Sequence, residues 1–261
     1  MHAPASTAAV SALPETAWEI LSRVRMRRPL VHCMTNSVAQ NFTANVLLAA
    51  GAIPSMSVAP EEIAEFVARA DALLINLGTL DRERRQAAEI AIKVASDEHR
   101  PWVLDPVFVD RSRGRVEFAR ALMTRTPQAV RLNAAEFAVL AQCEANEAAV
   151  QRYALRNLCV FALTGITDTV TDGARTAKIE NGHPLMGRVT AMGCAGTALI
   201  GACLAVEVDC WLATSAALLA FAVAAECAAA RARGPGTLSV EILDALASLD
   251  RETLLARARV R

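Results

Sequence analysis

From residue 29 onward the chain alternates short, almost unbroken apolar runs with longer stretches of helical periodicity. The runs are "PLVHC" (29–33), "ALLINLGT" (72–79), "WVLDP" (102–106), "AVRLN" (129–133) and "LCVFALTG" (158–165). Apolar runs without polar alternation suit strands buried on both faces, the condition of a parallel sheet covered by helices. Helix signals fill the gaps. Asn36 can cap a helix to about Leu48, with Gly51 as its left-handed stop. Pro60 opens a short helix with Glu61 and Glu62 near its positive end. Asp81 caps a helix to about Asp97, and a further helix is expected over about 115–124. Asn133 followed by Glu136 has the spacing of a capping box. Asp172-Gly173 inside "TVTDGARTAKI" predicts a hairpin. Everything after Gly193 reads as helical except the loop "RGPGT" (233–237). The fold class is therefore α/β: a three-layer α/β/α sandwich with a mostly parallel sheet and right-handed crossovers. No repeat or linker divides the chain, so one domain over 1–261 is expected, with 1–28 as an amphipathic helical extension.

Composition narrows the function classes. Lysine plus arginine number 27 and aspartate plus glutamate 27, which gives no long-range pull toward nucleic acid or an anionic membrane. Two uncharged runs, 189–206 and 210–225, raise the question of a membrane span. The first opens on a β-like "RVTAMG"; the second is interrupted by Trp211, Thr214 and Ser215 and flanked by Asp209 and Glu226. Both are expected to be buried helices short of the roughly 20 apolar residues of a span. The seven cysteines form no CxxC pair, which reads as reduced core thiols in a cytoplasmic protein. The four histidines show no metal-ligand spacing. No cationic leader precedes an apolar core at the N-terminus, so no signal peptide is expected.

In such folds ligands bind beyond the carboxyl ends of the strands. That rule selects Cys33–Asn36, Gly78-Thr79, Asp105–Val107, Asn133–Glu136, Thr164-Gly165 and Ala191–Gly196. Asp105 and Glu136 could hold Mg²⁺ through water beside phosphates, or serve as a strand-end acid and a helix cap. Arg131, on the same edge, could pair with a phosphate or with one of those acids. Thr164 offers a hydroxyl beside an unobstructed glycine backbone. Met56 could face an aromatic ring through its sulfur, or simply pack. A helix starting at Cys194 would present unpaired amides to an anion, with Gly193 allowing close approach. Its dipole would also favour the thiolate. An anion site with a thiol beside it, inert packing, and a nucleophile served by His32 or His183 all remain open, the first favoured.

With these loops assembled, the chain resembles the hydroxyethylthiazole kinases of the ribokinase-like superfamily. The resemblance rests on "PLVHCMTNSVAQNFTANVLLAAGAIPSM", "ALLINLGTL", "VLDPV", "VRLNAAE", "ALTGITDTVTDG", "NGHPLMGRVTAMGCAGTALI" and "GPGTLSVEILDAL", in order from about residue 29 to 247. It implies ATP-dependent phosphorylation of the alcohol of 5-(2-hydroxyethyl)-4-methylthiazole, in thiamine biosynthesis and salvage. By the same resemblance Met56, Asn36 and Ala191 would bind the thiazole. Arg131, Thr164 and Gly193 would bind ATP, Asp105 and Glu136 would organise Mg²⁺, and Cys194 would stand at the catalytic position. It further implies a homotrimer with sites between subunits. Ala191 and Met192 stand where the family usually has Gly-Thr, and Leu132 follows Arg131 where a glycine is usual. After "DPV" Phe108 replaces the family's small residues, and the segment between Glu136 and Thr164 is shorter than usual. Together these departures motivate a second reading: a relative that binds a small heterocyclic alcohol or a nucleotide without turnover, or acts on another alcohol.

Overall fold

The computed structural model of the chain describes residues 4–261. Helix α1 (Pro4–Arg27) leads into β1 (Leu30–Met34), α2 (Gln40–Ala50), β2 (Ile53–Ser55), α3 (Ile63–Ala68), β3 (Ala72–Asn76) and α4 (Arg82–Asp97). Next come β4 (Trp102–Asp105), α5 (Arg113–Met123), β5 (Ala129–Asn133), α6 (Ala134–Ala141), α7 (Glu147–Asn157) and β6 (Val160–Thr164). A hairpin of β7 (Asp168–Thr171) and β8 (Thr176–Ile179) precedes α8 (Met192–Leu204), α9 (Cys210–Ala229), α10 (Pro235–Ser248) and α11 (Arg251–Arg257). The extension expected at 1–28 is α1; residues 1–3 lie outside the described residues.

The strands form one sheet in the order β2-β1-β3-β4-β5-β6-β7-β8. The first six run parallel, and the hairpin closes the edge antiparallel. Side chains alternate between faces, as the two-residue period of a strand requires. Val31, Cys33, Leu74, Val103 and Ala129 pack with α1, α2, α8, α9 and α10. Met34, Leu73, Ile75, Leu104 and Val130 pack with α3 to α7. The three-layer sandwich is as expected from the apolar runs. Strand β1 lies between β2 and β3, and α2 and α3 belong to opposite layers. The strand order therefore reverses at β1, the position where open parallel sheets leave a crevice.

Helix α9 corrects one expectation. It is 20 residues long and apolar enough, by length and composition, to cross a membrane. In the fold it is a core helix, packed against α1, α8 and α10, with Trp211, Leu219 and Val223 fully buried. Its alanines favour helix and allow close neighbours. Asp209 caps it through the Trp211 and Leu212 N–H groups, and Trp211 Nε1 donates to the Val170 carbonyl at 3.1 Å.

Several local expectations shift. The helix expected after Asn36 begins at Gln40; Asn36 Oδ1 instead accepts from Ala39 N at 3.0 Å and closes the preceding turn. The helix expected from Pro60 begins at Ile63. "RVTAMG" is not a strand: a 3-10 turn covers Pro184–Arg188, and α8 starts at Met192 rather than Cys194. Part of the "RGPGT" loop is already helical, since α10 opens on Pro235. The chain end is not helical either: Arg259–Arg261 pair antiparallel with β8 through Lys178 and Glu180.

Candidate active site

Because β1 and β3 to β6 run parallel, the polar residues at their carboxyl ends meet on one edge. Asn76 ends β3 and Asp105 ends β4, paired in register. Helix α8 packs over β1, β3 and β4 and brings Cys194 and Thr197 to them. Asn76 Nδ2 donates to Asp105 Oδ2 at 2.8 Å and to Cys194 Sγ at 3.2 Å. Asn76 Oδ1 accepts from Gly78 N at 2.9 Å and from Asn36 Nδ2 at 3.2 Å. Asn36 Nδ2 also reaches Cys194 Sγ at 3.4 Å, and Thr197 Oγ1 donates to Asp105 Oδ2 at 3.0 Å. All five side chains are buried. Gly78 makes the packing possible, since a Cβ there would stand 2.7 Å from Asn36 Cβ.

The electrostatics of this cluster centre on Asp105. Burial pushes its carboxyl up to about 6, with Glu136 adding to the rise. The Arg131 charge and the bonds from Thr197 and Asn76 pull it back. Its Oδ1 is buried and has no hydrogen-bond partner. A desolvated carboxylate oxygen with nothing to accept from is costly, and a metal ion or metal-bound water would satisfy it. Asp105 thus fits the Mg²⁺ that the resemblance implies. Glu136 fits a supporting role: Oε1 accepts from Phe108 N and Oε2 from Asn133 N, both at 2.9 Å. With Asn133 it forms the expected capping box. Among the described residues no group of three or more His, Cys, Asp or Glu could hold a metal, so Mg²⁺ here would depend on phosphate oxygens for further ligands.

Arg131 projects from β5 across the start of α8. Any side chain at Gly193 would overlap its guanidinium. The glycine expected to admit a ligand therefore first admits this arginine. Among the described residues Arg131 makes no ion pair within 4 Å, yet its charge pulls the pKa values of Asp105, Asp168 and Cys194 downward against the effect of burial. A half-buried guanidinium over a helix N-terminus puts positive charge beside positive dipole, an arrangement suited to an anion between them. Thr164 stands at the end of β6, paired with Asn133, and its hydroxyl donates to the Leu132 carbonyl at 3.3 Å. Asp168, across the turn, accepts from Gly165 N at 2.9 Å; burial pushes its carboxyl to about 6.

Cys194 overturns an expectation. The helix start was expected to favour a thiolate, but burial and the neighbouring Asp105 push the thiol up to about 12. Desolvation and a nearby like charge outweigh the dipole. No histidine joins it: His32 is tied to Ser55 Oγ at 2.9 Å and to the Ser57 carbonyl at 3.0 Å, while His183 Nδ1 accepts from Leu185 N. The nucleophile reading has no base. Ala191 caps α8 at φ 68°, a left-handed backbone that disfavours any residue but glycine. Met56 follows β2 and packs, partly buried, on the α8–α9 side of the core; no hydrogen bond joins it to the Asn36–Cys194 cluster.

A sequence model of the Hydroxyethylthiazole kinase family matches residues 21–252. The chain belongs to this family. It is 43% identical over 244 residues to a probable hydroxyethylthiazole kinase of Agrobacterium fabrum, covering 94% of each chain. It is 45% identical over 260 residues to the hydroxyethylthiazole kinase of Granulibacter bethesdensis, covering 95% of each. The solved hydroxyethylthiazole kinase structure from Pyrococcus horikoshii superposes with a TM-score of 0.90 at 38% identity, over 95% of this chain and 98% of that one. A ribokinase-like superfamily protein of Enterococcus faecalis shares the fold alone, with a TM-score of 0.64 at 14% identity over 83% of this chain and 86% of that one. The family and the ribokinase-like α/β fold expected from the sequence are borne out.

Of the residues expected at the site, Asn36, Asp105, Arg131, Glu136, Gly193 and Cys194 gather on this edge, and three of their neighbours were not anticipated. Asn76 was hidden at the end of an apolar strand, and Thr197 inside an apolar helix. Asp168 stood at the mouth of a hairpin. The available signal for the first two was a hydrogen-bonding side chain in an otherwise apolar run, which must find a partner once buried.

Proposed function

We propose that the protein transfers the γ-phosphoryl group of ATP to the primary alcohol of 5-(2-hydroxyethyl)-4-methylthiazole, as an Mg²⁺-dependent kinase of thiamine biosynthesis and salvage. The observation that carries this reading is the buried Asp105, with one unpartnered oxygen, lying within the field of Arg131 at the start of α8. Family membership supplies the substrate. Arg131, Thr164 and the Gly193 end of α8 take the nucleotide phosphates, and Asp105 with Glu136 takes the metal. Asn36, Met56 and Ala191 form the thiazole side, with Cys194 between the two. Bound Mg²⁺ supplies charge neutralisation on the phosphates.

The chemistry suits these residues. The substrate oxygen forms a bond to the γ-phosphorus as the bond to ADP breaks, through a loose transition state. In such a transfer the hydroxyl proton leaves late, to an oxygen of the transferred phosphoryl group or to water, so a thiol pushed up to about 12 need not serve as base. Catalysis rests on alignment and on charge stabilisation by Arg131 and the α8 amides. Cys194, whose sulfur accepts from two amides, keeps its S–H as a donor.

The domain reading is a single kinase domain over 1–261, in the cytoplasm, where the chain's free thiols stay reduced. Its partners are ATP and the thiazole alcohol, with neither nucleic acid nor membrane. The assembly is a homotrimer with sites between subunits. The exposed Ile53 on the edge strand β2, with exposed Val38, Leu48 and Phe66 on flanking segments, supports self-association there.

The deciding experiment incubates purified protein with ATP, Mg²⁺ and the hydroxyethylthiazole and follows ADP and thiazole phosphate. Formation of both supports the reading, and no ADP above background refutes it. Tight thiazole or nucleotide binding without turnover would instead identify a non-catalytic relative.

A further inference from the structure

Asn76 is the most heavily bonded side chain in the site, yet the proposed chemistry assigns it nothing. Its amide makes four hydrogen bonds: Oδ1 accepts from Gly78 N and Asn36 Nδ2, and Nδ2 donates to Asp105 Oδ2 and Cys194 Sγ. The Gly78 N–H can only donate, so it fixes which end of the amide is oxygen and turns both amide hydrogens toward Asp105 and Cys194. Thr197 donates to the same Asp105 oxygen at 3.0 Å. One carboxylate oxygen is thus held twice and the other, Oδ1, not at all.

We propose that Asn76, with Thr197 as a second arm, is the positioning residue of this site: it rotates the Asp105 carboxylate so that Oδ1 alone is offered to the nucleotide-bound divalent cation. This rests on the kinase reading above. Unheld, a carboxylate can rotate about its last torsion and turn either oxygen, or both, toward the cation. Held, it presents one oxygen in one orientation. The same amide links Asp105 to Asn36 and Cys194, so the metal side and the substrate side share one fixed point. Partners one shell out from a metal ligand typically govern affinity or activity about 10–100-fold.

The test uses the full chain as wild type, Asn76→Ala and Thr197→Val. Binding of Mn²⁺ in the presence of ADP is followed by the electron paramagnetic resonance of free Mn²⁺, and kcat and both KM values are measured with Mg²⁺. For Asn76→Ala the Mn²⁺ affinity is expected to fall about 10–100-fold, with kcat falling alongside and the KM for the thiazole alcohol, reached only through Asn36, rising by less. Thr197→Val, which keeps the side-chain shape, moves Mn²⁺ affinity the same way by less. A merely structural role would lower the melting temperature and leave Mn²⁺ affinity as in wild type; that result overturns the proposal. If Asn76→Ala does not fold, unchanged Mn²⁺ affinity in Thr197→Val overturns it instead. If the wild type phosphorylates no thiazole alcohol, the kinase reading fails separately, and the Mn²⁺ measurement still decides the role of Asn76.

Discussion

Asn76 Nδ2 stands 2.8 Å from Asp105 Oδ2 and shares that oxygen with the Thr197 hydroxyl, while Oδ1 of the same carboxylate has no partner. The site's chemistry turns on that asymmetry. Asp105→Asn keeps the shape and removes the charge that would face the cation. Its kcat is expected to fall by about 10²-fold or more, the scale on which removing a charge-stabilising group acts. The protein should remain folded by circular dichroism. Steady-state ADP release measures the loss, and near-wild-type turnover would contradict the assignment.

The same carboxyl makes stability depend on pH. Its folded pKa, about 6, lies above the ordinary 3.8, so the folded state favours the protonated form. The benefit is full below about pH 4 and is lost as pH rises through 6; the cost above that is of order 3 kcal/mol. Asp105→Asn escapes it. Urea unfolding should show the variant gaining stability relative to wild type between pH 4 and pH 8, whereas parallel curves would exclude the effect.

Arg131→Ala removes the positive charge over Gly193. A charge-assisted bond of about 1.5–3 kcal/mol corresponds to roughly a 10–100-fold rise in the KM for ATP. The KM for the thiazole alcohol should stay near its starting value. Initial rates with each substrate varied separately distinguish the two, and equal rises in both would place Arg131 elsewhere.

Cys194 should behave as a buried thiol. At pH 7 iodoacetamide should label exposed Cys143 well before Cys194, whose thiol is pushed up to about 12. Cys194→Ala should lose less than the roughly 10²–10⁴-fold that a working general base supplies. Peptide mass spectrometry after timed labelling reads the first expectation and kcat the second.

Ala191 holds a left-handed backbone, φ 68°, at the cap of α8. Ala191→Gly relieves strain of about 1 kcal/mol, partly offset by the greater freedom of glycine in the unfolded chain. A rise in melting temperature of a few degrees is expected. A lowered one would show that Ala191 Cβ makes a contact worth more than the strain.

Much of this molecule was legible locally. The apolar runs became the core parallel strands, the Asp172-Gly173 pair became the hairpin, and Asn133 with Glu136 became a capping box. Asp81 caps α4 as its position suggests. Strand β2, three residues long, is too short for periodicity to reveal, and α7 was passed over. The terminal residues Arg259–Arg261 need β8 beside them before their backbone has anything to pair with.

By itself the sequence determined the periodicities, the caps and the turn chemistry, and hence the layers and the edge on which polar residues gather. Those signals act between residues a few positions apart. Only the tertiary structure decided that Asn76 meets Cys194 across 118 positions, that Thr197 reaches Asp105, and that Arg131 lies over Gly193. It also reversed the expected acidity of Cys194. Desolvation depends on what surrounds a group from every side, and no local pattern in the chain carries that information.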